Sequence, residues 1–194
     1  KSINKGCAIF AKEKYSLTNL PEISSISKNI DTVWCLGVFE GKRIIIGTAY
    51  LKLGYLNGVT EVLAMLEKAK LCGKELKAAG VIMCGDLNSR HTIFGDKVTD
   101  SYGKKLIESL DHCSFSILYP RSPSFLAVDG ASSVMDLFVV SNCLESKISC
   151  PETDDMIELF SGAPYRGHVP VISTIDMKLT SSTALGQNIT GASP

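Results

Sequence analysis

One long amphipathic segment lies among short apolar segments, and this alternation points to a chain that mixes helices with sheet. Over residues 60–79, apolar residues recur at helical spacing while acidic and basic residues take the other positions, which predicts a helix with one buried face. Thr60 is the predicted N-cap and Gly80 the predicted stop. The apolar residues 81–84 follow directly and are typical of a buried strand.

Other strands are predicted where runs rich in β-branched and aromatic residues are bounded by turn residues. Residues 33–39 and 43–50 are joined by a short Gly-containing link, which predicts an antiparallel hairpin. A shorter helix is predicted over 104–113, and further strands over 6–11, 115–118, 134–141 and 169–175. Because hairpins coexist with crossover connections, the predicted class is α/β with mixed sheets.

The composition is that of one globular domain with a substantial core. The 194 residues are 45% hydrophobic and 21% charged, which excludes a disordered chain, a collagen-like fibre and a transmembrane bundle. Twenty Lys plus Arg balance twenty Asp plus Glu, so net charge gives no argument for a nucleic-acid partner. We expect a domain over 1–179 and a linker or disordered tail over 180–194, which is rich in Ser, Thr, Gly and Ala.

The seven cysteines contain no C-x-x-C pair, so we expect reduced and mostly buried thiols rather than a metal site or a disulfide framework. The first residues do not resemble a signal peptide, and no apolar run approaches the roughly 20 residues of a membrane span. We therefore expect an intracellular protein, nuclear or cytoplasmic, that is not associated with a membrane.

Polar residues at three places in the sequence could carry chemistry. Asp86 and Asn88 lie two residues apart at the end of a predicted strand, where they can face one ligand or simply begin a turn. Asp136 lies in an apolar segment and needs a partner if it is buried. His168 is an isolated histidine, which is more often structural, but an Asp that orients a His acting as general base is a recurrent arrangement for activating water.

In chain order, these segments resemble the endonuclease/exonuclease/phosphatase superfamily, which includes deoxyribonuclease I and the apurinic endonucleases. The resemblance rests on the strand ending at Tyr50, on Gly85-Asp86-Leu87-Asn88, on the segment carrying Asp136 and on His168. Further matches are His91 with Phe94-Gly95, Ser101-Tyr102-Gly103, Pro123-Ser124-Phe125 and Ser132-Ser133-Val134-Met135-Asp136-Leu137. The branch it resembles most is the endonuclease domain of LINE-type (non-LTR) retrotransposons.

The resemblance implies a deoxyribonuclease I-like fold, in which two mixed β-sheets pack face to face with helices outside as a four-layer α/β sandwich. It implies catalytic roles for Tyr50, Asp86, Asn88, Asp136 and His168, and substrate contacts for Asn88, His91 and Ser124. In these roles Asp86 activates or orients the attacking water, and Asn88 holds the water or the phosphate. His168, oriented by Asp136, contacts the scissile phosphate or takes a proton, and Tyr50 contacts the phosphate. Arg90 and His91 have no role fixed by the resemblance. The simpler interpretation is that they lie in a solvated loop, and the more specific one is that they contact the DNA backbone.

The sequence departs from the family at the metal site. The resemblance implies Mg²⁺, with Mn²⁺ as an alternative, held in family members by an Asn and a principal Glu that precede the strand equivalent to residues 6–11. The chain begins too late to contain them, so we expect an N-terminally truncated domain that lacks the first strands. The S-D-H motif that family members carry near this point reads Arg166-Gly167-His168 here, so glycine replaces a carboxylate that lies beside the metal in the family. The metal ligands are therefore unknown, and reduced activity is expected.

The function implied is a metal-dependent DNA endonuclease that nicks target DNA for target-primed reverse transcription by a non-LTR retrotransposon. Its partners would be DNA and the reverse transcriptase domain of the same polyprotein. Two alternatives stay open: a catalytically dead remnant or DNA-binding module, and a phosphatase of the same superfamily.

Overall fold

The computed structural model of the chain describes residues 6–110, 113–154 and 167–177. Within these residues lie three α-helices, α1 Asn57–Glu75, α2 Ser101–Leu110 and α3 Asn142–Glu145, and a 3₁₀ helix over Thr92–Phe94. The strands are β1 Ser16–Asn19, β2 Ser25–Ile26, β3 Ile30–Phe39, β4 Lys42–Leu51, β5 Val81–Asp86, β6 Phe115–Leu118, β7 Phe125–Leu126, β8 Ser132–Ser133, β9 Asp136–Ser141, β10 Glu152–Thr153, β11 Gly167–His168 and β12 Val171–Ile172.

A seven-stranded mixed sheet forms the centre of the domain. Its order is β1-β3-β4-β5-β9-β6, and β2 also pairs with β3. The β4 and β5 strands are parallel because α1 carries the chain across between them, whereas β3 and β4, β5 and β9, and β6 and β9 are antiparallel. A three-stranded sheet in the order β11-β7-β8 and a two-stranded sheet of β10 and β12 complete the pairing. The predicted α/β class with mixed sheets is confirmed.

The predicted hairpin and the predicted crossover helix are both present. The β3 and β4 strands pair in antiparallel register through all ten residues of each, and both residues of the connecting turn, Glu40 and Gly41, have positive φ, as in a two-residue hairpin loop. The α1 helix buries Val59, Val62 and other apolar residues of one face in the core. Amphipathic spacing therefore located the helix correctly.

The predicted ends of this helix were wrong. It begins at Asn57, after Leu56, whose side chain makes no capping bond, and ends at Glu75 rather than before Gly80. Thr60 lies inside the first turns, so it is not the N-cap. Because the apolar face already begins at Val59, burial fixes the start of the helix without a capping side chain.

Three predicted strands also differ from the structure. Residues 6–11 form no strand, and Phe10 is 91% exposed, because an apolar run predicts burial but does not supply a neighbouring strand to pair with. Of the predicted strand over 169–175, only Val171–Ile172 forms a strand, β12, which begins after Pro170, since proline has no N–H to donate to a ladder. The segment predicted over 134–141 enters the sheet only at Asp136.

All seven cysteines are free, but the expectation that most are buried was wrong, since only Cys35 is fully buried while Cys143 and Cys150 are exposed. No helix in the described ranges is both long and apolar enough to cross a membrane. The predicted tail over 180–194 lies outside the described residues, as does the predicted boundary at 179.

Candidate active site

Two carboxylates meet where neighbouring strands of the large sheet begin and end. Asp86 is the last residue of β5 and Asp136 the first of β9, and the antiparallel register pairs them directly. Directly paired residues point to the same face of a sheet and would repel each other as like charges. The pair therefore needs a cationic or hydrogen-bonding group between its side chains.

His168 supplies that group. Its Nδ1 lies 2.9 Å from Oδ2 of Asp136, within hydrogen-bonding distance, and its Nε2 lies 3.5 Å from Oδ2 of Asp86. The imidazole is thus oriented tightly by Asp136 and held more loosely towards Asp86. The side chain of His168 is 41% exposed, whereas those of Asp86 and Asp136 are 15% and 20% exposed, so the cluster is open to solvent on one side.

The segment around Asp86 has a constrained backbone. Gly85 has φ +152°, and a Cβ at this position would collide with the carbonyl oxygen of Ala49, so glycine is required before the aspartate. Asn88, with φ +45°, donates its backbone N–H to Oδ1 of Asp86 at 2.9 Å. Its side-chain Nδ2 donates to Oδ2 of Asp86 at 3.2 Å and to the carbonyl oxygen of Leu51 at 2.7 Å.

The Asp86 and Asn88 pair therefore forms a turn and also faces the cavity. Because the amide of Asn88 has only two N–H groups, both are already committed to protein acceptors. Asn88 as folded holds the Asp86 carboxylate in place, and its contact with water or phosphate stays a prediction.

Ser124 lies behind the site rather than in it. Its side chain is fully buried, and Oγ accepts hydrogen bonds from the backbone N–H groups of Met135 and Asp136, both at 3.0 Å. Its carbonyl oxygen accepts the N–H of Val169 at 2.8 Å. Ser124 therefore connects the segment of Asp136 to that of His168, and the structure does not bring it to the substrate side as the sequence had suggested.

The pairing of β11 with β7 fixes the histidine from the other side. His168 lies directly opposite Phe125, and the centroids of the two rings are 4.9 Å apart with an angle of 58° between the ring planes. This tilted contact covers one face of the imidazole, while the two aspartates lie beside its ring nitrogens.

These residues border a cavity of about 950 Å³. Tyr50, Asp86, Asn88, Asp136 and His168, the five predicted catalytic residues, all line it, together with Arg90 and Asp100. The structure thus brings together residues that are far apart in the sequence. Their catalytic roles stay predictions.

His91 does not line this cavity. Its Nδ1 accepts a hydrogen bond from the backbone N–H of Ile93 at 3.1 Å and so caps the 3₁₀ helix, while its ring lies against Phe94 with centroids 5.8 Å apart. These contacts explain the presence of a histidine here without a substrate, and a role in substrate binding stays a prediction.

A buried ion pair at the edge of the cavity was not singled out from the sequence. Asp96, whose side chain is fully buried, binds Nη2 of Arg90 at 3.0 Å and accepts backbone N–H bonds from Val98 and Val134. Burial raises the pKa of the Asp96 carboxyl, but the bonds from Arg90, Val134 and Val98 outweigh it and hold the pKa below its ordinary value. A charge pair within one loop has no periodic spacing, so no sequence signal marked it.

The donor set of the site does not fit a divalent cation. Across residues 6–110, 113–154 and 167–177, no three His, Cys, Asp or Glu side chains are grouped to hold a metal. Asp86 and Asp136 both face His168, and Gly167 offers no oxygen ligand from a side chain. Gly167 also has φ +125°, a conformation that an aspartate rarely adopts. The expectation of Mg²⁺ or Mn²⁺ therefore has no support from the described residues.

The fold is shared with several solved structures. The endonuclease domain of TRAS1, a telomere-specific non-LTR retrotransposon, superposes with a TM-score of 0.64 at 18% identity, over 86% of this chain and 71% of that one. The AP endonuclease LMAP from Leishmania major gives 0.58 at 15% identity, over 76% and 55%. The mannosyl-6-phosphatase Bt3783 from Bacteroides thetaiotaomicron gives 0.51 at 15% identity, over 75% and 56%.

The chain spans just over half the length of the last two proteins. At these identities the likeness establishes the fold, and it confirms the predicted deoxyribonuclease I-like fold class. A comparison with curated protein sequences finds no match.

The sequence profile described as "Endonuclease-reverse transcriptase" matches residues 56–159, which is more than half of the chain. This range contains α1, β5 with Asp86, and β9 with Asp136, so it includes both carboxylates that hold His168. The chain belongs to the endonuclease-reverse transcriptase family.

Proposed function

We propose that this domain hydrolyses a phosphodiester bond of DNA and produces a nick from which a linked reverse transcriptase can prime. The observation that carries the proposal is the position of His168 between Asp136 and Asp86 on the wall of a cavity of about 950 Å³. Membership of the endonuclease-reverse transcriptase family and the likeness to a retrotransposon endonuclease domain support DNA as the substrate.

In the proposed reaction, Asp136 accepts the Nδ1–H of His168 and so directs Nε2 towards the phosphate. Asp86, fixed by Asn88, orients the attacking water and accepts a proton from it. The water oxygen forms a bond to phosphorus, the bond from phosphorus to the 3′-oxygen breaks, and that oxygen takes a proton from solvent and leaves as a 3′-hydroxyl, while Asp86 returns its proton to solvent. His168 donates a hydrogen bond to a phosphoryl oxygen, where negative charge develops.

Tyr50 lines the same cavity at the end of β4, and we propose that it contacts the phosphate. Mg²⁺ stays part of the proposal only as a requirement to be tested. No step above is assigned to it, because the described donors do not form a site for it.

A nicking assay on supercoiled plasmid tests the proposal. The unmodified chain, His168→Ala and Asp86→Asn are compared in Mg²⁺, in Mn²⁺ and in EDTA, and Lys97→Ala, at an exposed position that does not line the cavity, controls for purification and folding. We expect relaxed circles from the unmodified chain and from Lys97→Ala only. Equal nicking by His168→Ala, or none by any protein, would contradict the proposal.

A second candidate function is that of a DNA-binding module that does not hydrolyse DNA. The observation in its favour is that the described donors do not fit a cation, since Gly167 provides no carboxylate and both aspartates contact His168. This function predicts that the chain retards a DNA fragment in a gel shift yet leaves plasmid intact with either cation. The two assays together therefore separate an endonuclease from a binding module.

A further inference from the structure

Arg90 differs from the other charged residues that line the cavity. Asp86, Asp100 and Asp136 are acidic, His168 is engaged by two of them, and Arg90 is the only lysine or arginine among the described lining residues. An anionic substrate that enters this cavity therefore meets three carboxylates and a single permanent positive charge. The position of the Arg90 guanidinium therefore determines where a phosphate can bind in the cavity.

The guanidinium of Arg90 is anchored along one edge. Its Nε lies 3.2 Å from both carboxylate oxygens of Asp96, and its Nη2 lies 3.0 Å from Oδ1. Asp96 is itself fixed by backbone N–H bonds from Val98 at 3.1 Å and Val134 at 3.0 Å. The arginine is thus held in one orientation before any ligand arrives, which reduces the entropy lost on binding.

The other edge of the guanidinium has no protein partner in the described part of the chain. An arginine carries five N–H donors, and the contacts with Asp96 engage Nε and Nη2 but not Nη1. The Arg90 side chain is 32% exposed while that of Asp96 is fully buried, so the carboxylate lies on the protein side. Planar N–H pairs of this kind match the oxygens of a phosphate.

We infer that Arg90 binds a second phosphate of the nucleic acid strand, next to the scissile phosphate that is placed at His168. The inference rests on the proposed function and deepens it, because it makes the substrate a polynucleotide rather than a phosphomonoester. Only a ligand with at least two linked phosphates can use both His168 and Arg90. Among the described residues, the ion pair of Arg90 is with Asp96 and not with Asp100, whose Oδ1 accepts the N–H of Gly103 at 2.7 Å.

The test measures binding rather than cleavage. A short fluorescent single-stranded oligonucleotide is titrated in EDTA between 50 and 200 mM salt, values that span the usual range for counterion release. The variant Arg90→Met/Asp96→Asn removes both members of the ion pair, so that no unpaired charge is left buried. Lys97→Met removes one positive charge from the same loop at an exposed position that does not line the cavity.

We expect the double variant to bind about tenfold more weakly than the unmodified chain and to lower the slope of log K against log salt by about 0.7, the loss of one single-strand phosphate contact. Lys97→Met should change neither quantity by more than about a third of that. A mononucleotide competitor, which has one phosphate, should bind the double variant and the unmodified chain equally.

If the double variant does not fold, as judged by circular dichroism, Arg90→Lys takes its place, because an ammonium bound to Asp96 has no second planar edge to offer. A threefold or greater loss of oligonucleotide binding is then expected. Binding and salt slope equal to those of Lys97→Met would overturn the inference, and so would an equal loss for the mononucleotide. Failure of the unmodified chain to bind the oligonucleotide would also overturn the inference, whereas the proposed function is judged separately by the plasmid-nicking assay.

Discussion

Two carboxylate clusters border the same cavity and differ in how completely they are buried. Asp96 is fully buried and accepts bonds from Arg90 and from two backbone N–H groups. Asp86 and Asp136 keep 15% and 20% of their side-chain surface, and the histidine between them keeps 41%. We refer to these as the anchor cluster, Arg90 and Asp96, and the histidine cluster, Asp86, Asp136 and His168.

The difference teaches how structural and reactive charges can be distinguished. In the anchor cluster the carboxylate accepts bonds from Arg90 and Val98 of its own loop and from distant Val134, so its charge is used to hold the fold. In the histidine cluster one contact is short and the other is long, 2.9 Å and 3.5 Å, so a proton or a ligand can be exchanged at the longer side. Changes in the anchor cluster should therefore affect stability, and changes in the histidine cluster should affect rate.

The largest expected effect is on rate. Asp136→Asn should lower plasmid nicking about 10²- to 10⁴-fold, because an amide does not fix the imidazole in the orientation that turns Nε2 to the phosphate. The urea midpoint of unfolding should change little. Asp129→Asn, at an exposed aspartate, is the matched control, and full activity of Asp136→Asn would show that the histidine cluster is structural.

The second prediction concerns stability. Asp96→Ala should lower the free energy of unfolding by about 3 kcal/mol, because it leaves Arg90 without its counterion and the N–H of Val98 and the buried N–H of Val134 without acceptors. Urea unfolding followed by circular dichroism measures this change.

Glu108→Ala serves as the control for Asp96→Ala, since its ion pair with Lys104 is exposed and long at 4.0 Å. It should cost no more than about 0.5 kcal/mol. A loss for Asp96→Ala as small as that of Glu108→Ala would remove the distinction between the two clusters.

The sequence allowed much of this comparison to be predicted, and the limits have a physical origin. Amphipathic spacing and a Gly-containing link located α1 and the hairpin of β3 and β4, because these elements depend on neighbouring residues. Asp86, Asp136 and His168 were picked out in chain order, and the structure brings them together. Hydrophobic periodicity was sufficient to predict the helix and the hairpin, and the chain order of the family's motifs was sufficient to predict the three site residues.

The features that were missed depend on long-range pairing. Ser124 was expected at the substrate, but its hydroxyl turns inward to the N–H groups at the start of β9. Asp96 gave no signal, because its ion pair with Arg90 has no periodic spacing and its partner Val134 is distant in the sequence. Residues 6–11 were expected to form a strand, but apolar composition cannot show whether a strand lies alongside. Side-chain direction in two-residue strands such as β11 is likewise set by the partner strand, here β7.

The third prediction addresses the backbone beside the histidine cluster. Gly167→Asp should lower the free energy of unfolding by about 1–3 kcal/mol, because φ of +125° at this position is strained for any side chain. Gly167→Ala should show a similar loss, which separates backbone strain from the effect of the added charge. Thermal unfolding with and without Mn²⁺ measures both. A stabilised Gly167→Asp protein that gains a further increase with Mn²⁺ would contradict the prediction and indicate that the glycine alone prevents metal binding.

The smallest expected effect is on the pH dependence of stability. The pKa of Asp96 is lower in the folded chain than its ordinary value, which is about 4. The unfolded chain therefore binds this proton more readily, so the contribution of Asp96 is complete above about pH 4 and is lost as pH falls through the folded pKa. Asp96→Asn should flatten the acidic limb of urea midpoint against pH, while Glu108→Gln, at an exposed carboxylate, should leave its shape unchanged. Parallel curves for Asp96→Asn and the unmodified chain would mean that the anchor cluster does not set the acid sensitivity, and its assignment to the fold would be wrong.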